Sequence, residues 1–182
     1  LKARMFILGL IAVGGIVFAG GFGIYSLSAF NSKLEGDLAE VRAGVHTLVS
    51  IQTASIDFKT QVQEWKNILV RGDDEENFKK YEKAFFEKEA VVQVRLKKSL
   101  EALRSENDPA AATVIAALEA LAKDHLALGV AYKEALAGYD RADPEAGKKT
   151  DQLVKGKDRA TTEGLNKIVA DLEAKEFAHL DS

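Results

Sequence analysis

Six side chains of this 182-residue chain have types and positions that could do chemistry together: Ser55, Lys59, His125, Asp158, Arg159 and Thr161. A lysine and an arginine can hold a small anion, the arginine through a planar, bidentate fork. Hydroxyls and an imidazole can then orient such a ligand by hydrogen bonds. The set lacks what catalysis or metal binding requires. His46, His125 and His179 fall in different helical segments or at different heights, so they show no metal-ligand spacing. There is no cysteine, which excludes a thiolate metal site and a disulfide framework. No glycine-rich phosphate loop and no nucleophile with an evident base is present. An enzyme is therefore not expected, and neither a metal nor a cofactor is. The net charge of −3 gives no electrostatic footprint for nucleic acid.

The elements that must position these six are helices. Hydrophobic residues make up 47% of the chain, and the only prolines are Pro109 and Pro144, both in polar patches. Long helices broken at a few places fit that pattern, and strands are not signalled. The expected fold is all-α: an N-terminal transmembrane helix continuous with an up-down-up-down four-helix bundle.

Lys2 and Arg4 precede an apolar run, and the 28 positions from Met5 to Ser32 carry no charge. About 20 apolar residues cross a bilayer core. A secretory signal peptide is the rival reading, but its apolar region is usually about 7–15 residues. An uncleaved anchor is favoured. The excess of Lys and Arg on the cytoplasmic side would put residues 1–4 inside, 5–29 across the membrane and 30–182 outside. Gly15, Ala19 and Gly23 repeat at four-residue spacing, which would let a second helix approach closely in lipid. The plain alternative is that glycine is common in membrane helices.

Beyond the anchor, Leu34, Val41, Leu48, Ser55, Val62 and Leu69 lie on one helical line. A second line begins at Leu38 and Val45 and shifts one place to Ile51, Phe58 and Trp65, as a nearly straight helix requires. Trp65 reads as core packing. Gly72 is the expected cap of this helix. Asp74 is the expected N-cap of the second helix, whose buried face is Phe78, Tyr81, Phe85, Val92, Leu96 and Leu103. Asp108-Pro109 is a stop and restart. The third helix carries the seam Val114, Leu118, Leu121, His125, Leu128, Tyr132, Ala135 and Tyr139. Asp143-Pro144 repeats the restart. A single fourth helix is expected from there towards Ser182, apolar at Leu165, Ile168, Leu172 and Phe177. The chain is expected to continue naturally into a second membrane helix.

Counting the helical rise from the membrane-distal ends puts residues 53–60, 86–93, 121–128 and 155–162 at one height. The six polar residues fall in that layer. Buried polar groups need partners. The layer is either an internal hydrogen-bond network, with Asp158 and Arg159 solvated, or a small-molecule pocket.

The segments QVQEWKNILVRG at 61–72, FKKYEKAFFEKE at 78–89 and DQLVKGKDRATTEGL at 151–165, with His125 and Tyr132 between them, carry a resemblance. Together they resemble the periplasmic sensor module and first membrane helix of bacterial methyl-accepting chemotaxis proteins. That resemblance implies a homodimeric receptor in the bacterial inner membrane, whose bundle binds a small molecule or a periplasmic binding protein. No family binding residue transfers position by position, and Arg42, Arg71 and Arg159 are candidates by chemistry alone. The second membrane helix and the methylated segment of that family are absent from these residues. A sensor module of a histidine kinase or cyclic-nucleotide enzyme, and a single-anchor structural protein with no ligand, are the alternative readings.

Overall fold

The computed structural model describes residues 2–106 and 108–180, and the side-chain surroundings of 14, 15, 18–39, 41–106 and 108–175. The described residues form helices and connecting turns, with no strand. The order is α1 (Lys2–Arg71), α2 (Glu75–Ser105), a 3-10 turn (Pro109–Ala111), α3 (Ala112–Ala137), α4 (Ala146–Val154) and α5 (Asp158–Leu180). The chain divides into two compact units, residues 1–42 and 43–182, with the boundary inside α1.

The first unit is helical. Phe18, Phe22, Ile24, Tyr25, Leu27 and Phe30 are between 62% and 76% exposed. A Cβ added at Gly15 or Gly23 would meet nothing within 4 Å, and Ala19 is exposed. Among the described residues no helix is long and apolar enough to cross a membrane. The expected span 5–29 rests in part on 5–13, 16 and 17, whose side chains lie outside the described residues.

The second unit holds the core. In α1, Ile51, Ala54, Phe58, Gln61, Trp65 and Ile68 are buried and alternate steps of three and four, the signature of one helix face turned inward. Tyr81, Phe85, Val92, Leu96 and Leu103 of α2 meet them, as the periodicity predicts. The α3 seam is buried from Val114 to Ala135. Trp65 lies between Phe85 and Tyr132, with ring centroids 5.9 and 4.5 Å away, so its role is packing.

Contacts between elements establish their directions. From α1 to α2, Ser50 pairs with Ser99, Asp57 with Arg95 and Arg71 with Tyr81. One number rises as the other falls, so these helices are antiparallel. From α1 to α3, Gln61 meets His125, and Ile68 meets Tyr139 just beyond the end of α3, so these helices run parallel. Gln52 reaches Glu173 of α5, and Gly147 of α4 lies against Leu69, so the last limb is antiparallel to α1.

The caps follow local chemistry. Asp74 accepts the Asn77 N–H at 2.8 Å, and Asp108 accepts the Ala110 N–H at 2.8 Å. These side chains satisfy amides that a helix start leaves unpaired. Gly72 follows α1 and donates to the Ile68 carbonyl at 2.8 Å.

The last limb corrects one expectation. It is two helices, α4 and α5, joined by a turn at Lys155–Lys157. Gly156 has φ +76°, a conformation that a Cβ disfavours, and Lys157 donates to the Val154 carbonyl at 3.0 Å. The inward positions nevertheless stay in step across the break. Ala146, Thr150 and Val154 are buried before it, and Thr161, Leu165, Ile168 and Leu172 after it. Hydrophobic spacing alone therefore reads as one helix. Phe177 lies outside the residues whose side chains are described.

Candidate functional site

His125 stands on the α3 seam and is fully buried. Its Nε2 lies 2.9 Å from Oε1 of Gln61, and its Nδ1 lies 2.5 Å from Nε2 of Gln93. The Gln93 amide also donates to the Ala122 carbonyl at 3.2 Å, which fixes its nitrogen towards the ring. Nδ1 must then accept and Nε2 must donate, the arrangement of a neutral imidazole. Burial pushes the His125 pKa down to about 4, because a charged ring loses its hydration there. Phe58 packs edge-on at 5.4 Å between centroids. Both ring nitrogens are paired inside an apolar core, while Nε2 of Gln61 is buried without a hydrogen-bond partner.

The six residues chosen from the sequence divide by exposure. Ser55, His125 and Thr161 are buried, Asp158 is half-buried at the start of α5, and Lys59 and Arg159 are exposed. Among the described residues no hydrogen bond or ion pair joins His125 to the other five. Asp158 does act on the core from its helix start. Burial raises the Tyr132 pKa, and the charges of Asp158 and Asp151 raise it further. Gln61 and Gln93, which do contact His125, were missed. Gln61 could have been found, because it lies between Phe58 and Trp65 on the three-four line. Gln93 carries no such signal.

A second polar cluster joins α1 to α2. Asp57 is 7% exposed. It accepts Lys88 Nζ at 2.8 Å and Arg95 Nε at 2.7 Å. One helical turn further along α2, Ser99 donates to Ser50 at 3.0 Å. Beside these contacts the two helices part into a groove of about 630 Å³. His46, Thr47, Ser50, Thr53, Ser99, Arg95 and Lys98 supply its polar surface, and residues such as Val49, Val91 and Val94 its apolar surface. None of the six sequence-chosen residues lines it. Such a volume, with apolar walls and a few placed polar groups, suits a small ligand. Among the described residues no group of histidines and carboxylates could hold a metal ion.

The chain is 33% identical over 165 residues to the methyl-accepting chemotaxis protein CtpH of Pseudomonas aeruginosa. The match covers 87% of this chain and 27% of that protein, so the chain spans about a quarter of the relative's length. No protein-family model and no solved structure matches the chain. The chain is thus a distant relative of a chemotaxis receptor, with an all-helical structure.

Proposed function

We propose that this chain is the sensor part of a transmembrane chemoreceptor, detecting a small ligand, free or on a periplasmic binding protein, and signalling across the bacterial inner membrane. The observation that carries the reading is the likeness to a methyl-accepting chemotaxis protein over 87% of the chain. In this reading residues 5–29 form the first membrane helix, and 30–182 form the periplasmic sensor. The uncharged run from Met5 to Ser32 supports the anchor, and Gly15, Ala19 and Gly23 are its packing face. A homodimer is part of the reading. It is supported by Val45, Ile56 and Val70 of α1, which are 46–78% exposed at helical spacings and which a second copy would cover. Signalling needs a bistable element, and a small displacement of α5 against the bundle would serve. The protein's role in this reading is binding and transmission without chemistry on the ligand.

The test joins the full chain to the membrane-proximal and signalling segments of a characterised chemoreceptor. Control of the coupled kinase is then read in cells as carboxylates, amino acids and inorganic anions are added. A dose-dependent change in kinase output is expected. A chimera that reaches the membrane, binds a compound and leaves the kinase unaffected would overturn the reading. Recovery of the full chain in the soluble fraction would overturn the anchor.

A further inference from the structure

The α1–α2 groove carries a charge and a hydrogen-bonding need that the fold itself does not use. Its lining residues include Arg95 and Lys98 and no carboxylate. Asp57 sits behind it and is shared by Lys88 and Arg95, so that trio keeps one net positive charge. Lys98 makes no ion pair among the described residues and adds a second. Asp57 engages Arg95 only at Nε. The two terminal nitrogens of the guanidinium remain for another acceptor, in the paired geometry that suits a carboxylate.

Thr47 supplies an independent observation. It lines the groove and is 1% exposed, yet its Oγ1 has no hydrogen-bond partner. A helical threonine can donate to the carbonyl one turn back, and Thr53 and Thr60 of the same helix do so at 2.7 and 3.0 Å. Leaving a buried hydroxyl unpaired is unfavourable, and a ligand oxygen would remove that penalty. Val91 and Val94, 37% and 52% exposed, offer an apolar wall beside these polar groups.

We infer that this groove binds a small organic anion, a carboxylate on a short apolar body. Lys98 and the outer edge of Arg95 hold the carboxylate, Thr47 donates to it, and Val91 and Val94 take the apolar body. Two cations disfavour amines. The valine wall favours a carboxylate with hydrocarbon over inorganic phosphate, which has no apolar surface to bury. The signalling consequence rests on the sensor reading above, but the binding does not.

Isothermal titration of the full chain in detergent tests the groove, with benzoate, isovalerate, inorganic phosphate and benzylamine as probes. Saturable binding of benzoate or isovalerate is expected, with phosphate and benzylamine at least about tenfold weaker. Lys98→Glu, at an exposed position, should weaken carboxylate binding by about tenfold or more, the worth of one charge-assisted hydrogen bond. Thr47→Val keeps the side-chain shape and should weaken it by a smaller factor. Thermal melting of each variant shows that it is folded. The proposal falls if neither carboxylate binds, if phosphate or benzylamine binds as tightly, or if Lys98→Glu leaves the affinity unchanged. It also falls if Val94→Asp abolishes self-association without weakening carboxylate binding, which assigns the groove to a second copy of the chain. Carboxylate binding that Lys98→Glu removes, in a chimera with no kinase response, overturns the sensor reading and leaves the groove standing.

Discussion

Nε of Arg95 lies 2.7 Å from Oδ2 of Asp57, so a cation of α2 is held by a carboxylate of α1. Lys88 holds the other oxygen at 2.8 Å. Burial alone would raise the Asp57 pKa, yet hydrogen bonds from Lys88 and Arg95 bring it below the usual carboxylate range. The pairing couples the two helices and sets the guanidinium at the groove.

Asp57→Asn is expected to destabilise the bundle by about 1–3 kcal/mol. A fully buried pair that loses one partner costs roughly 3–5 kcal/mol. Lys88 and Arg95 are 37% and 38% exposed, so water screens them and the loss is smaller. Urea denaturation of the variant checks this. An unchanged midpoint would show that the pair contributes no stability.

His125 makes stability depend on pH in a defined window. Its pKa moves from 6.5 to about 4 on folding, so between these values the unfolded chain binds the proton and the folded chain does not. Stability from this group is fully present above pH 6.5 and is lost as pH falls towards about 4. The limiting slope is about 1.4 kcal/mol per pH unit. His125→Asn cannot titrate and should flatten the profile across that window even if the variant is less stable overall. Equal slopes for both proteins would refute the assignment.

Gly147 of α4 packs against the α1 backbone at Leu69. A Cβ there would lie 2.2 Å from the Leu69 carbonyl oxygen, a backbone atom that cannot rotate away. Gly147→Ala should therefore cost about 1–3 kcal/mol or more, as overpacking does. Gly138→Ala is the control, since the nearest atom to its Cβ is 4.0 Å away, and it should stay within about 0.5 kcal/mol. Thermal melting of the pair tests the contrast.

Gly156 separates α4 from α5 with φ +76°. Gly156→Ala should lower stability by about 1–2 kcal/mol, because a side chain is disfavoured in the left-handed region. Gly156→Asn should lose less, since asparagine tolerates that region better than alanine does. If alanine melts no lower than the wild type, the two helices are continuous in solution.

Sequence reasoning reached the α3 seam, the caps at Asp74 and Asp108 and the packing role of Trp65, because each depends on residues within about one helical turn of one another. It placed Ser55, His125 and Thr161 inside the bundle for the same reason. It missed the break at Gly156, since the apolar spacing carries through the turn from Val154 to Leu165. It also passed over Asp57, Arg95, Thr47 and Lys98, whose charges and hydroxyls read locally as ordinary helix surface.

The sequence by itself determined that this chain is helical and which stripe of α2 and α3 turns inward, because helical periodicity and end-capping are local properties of the chain; in α1 the expected Leu34, Leu38 and Val45 are instead 45–56% exposed. The tertiary structure alone decided the partners. Gln61 meets His125 across 64 positions and Asp57 meets Arg95 across 38. Each residue of stagger moves a side chain about 1.5 Å and turns it about 100°. Polar pairing across helices therefore depends on axial offset and rotation, which are set by packing Phe58, Trp65, Phe85 and Tyr132 together and are written in no single segment.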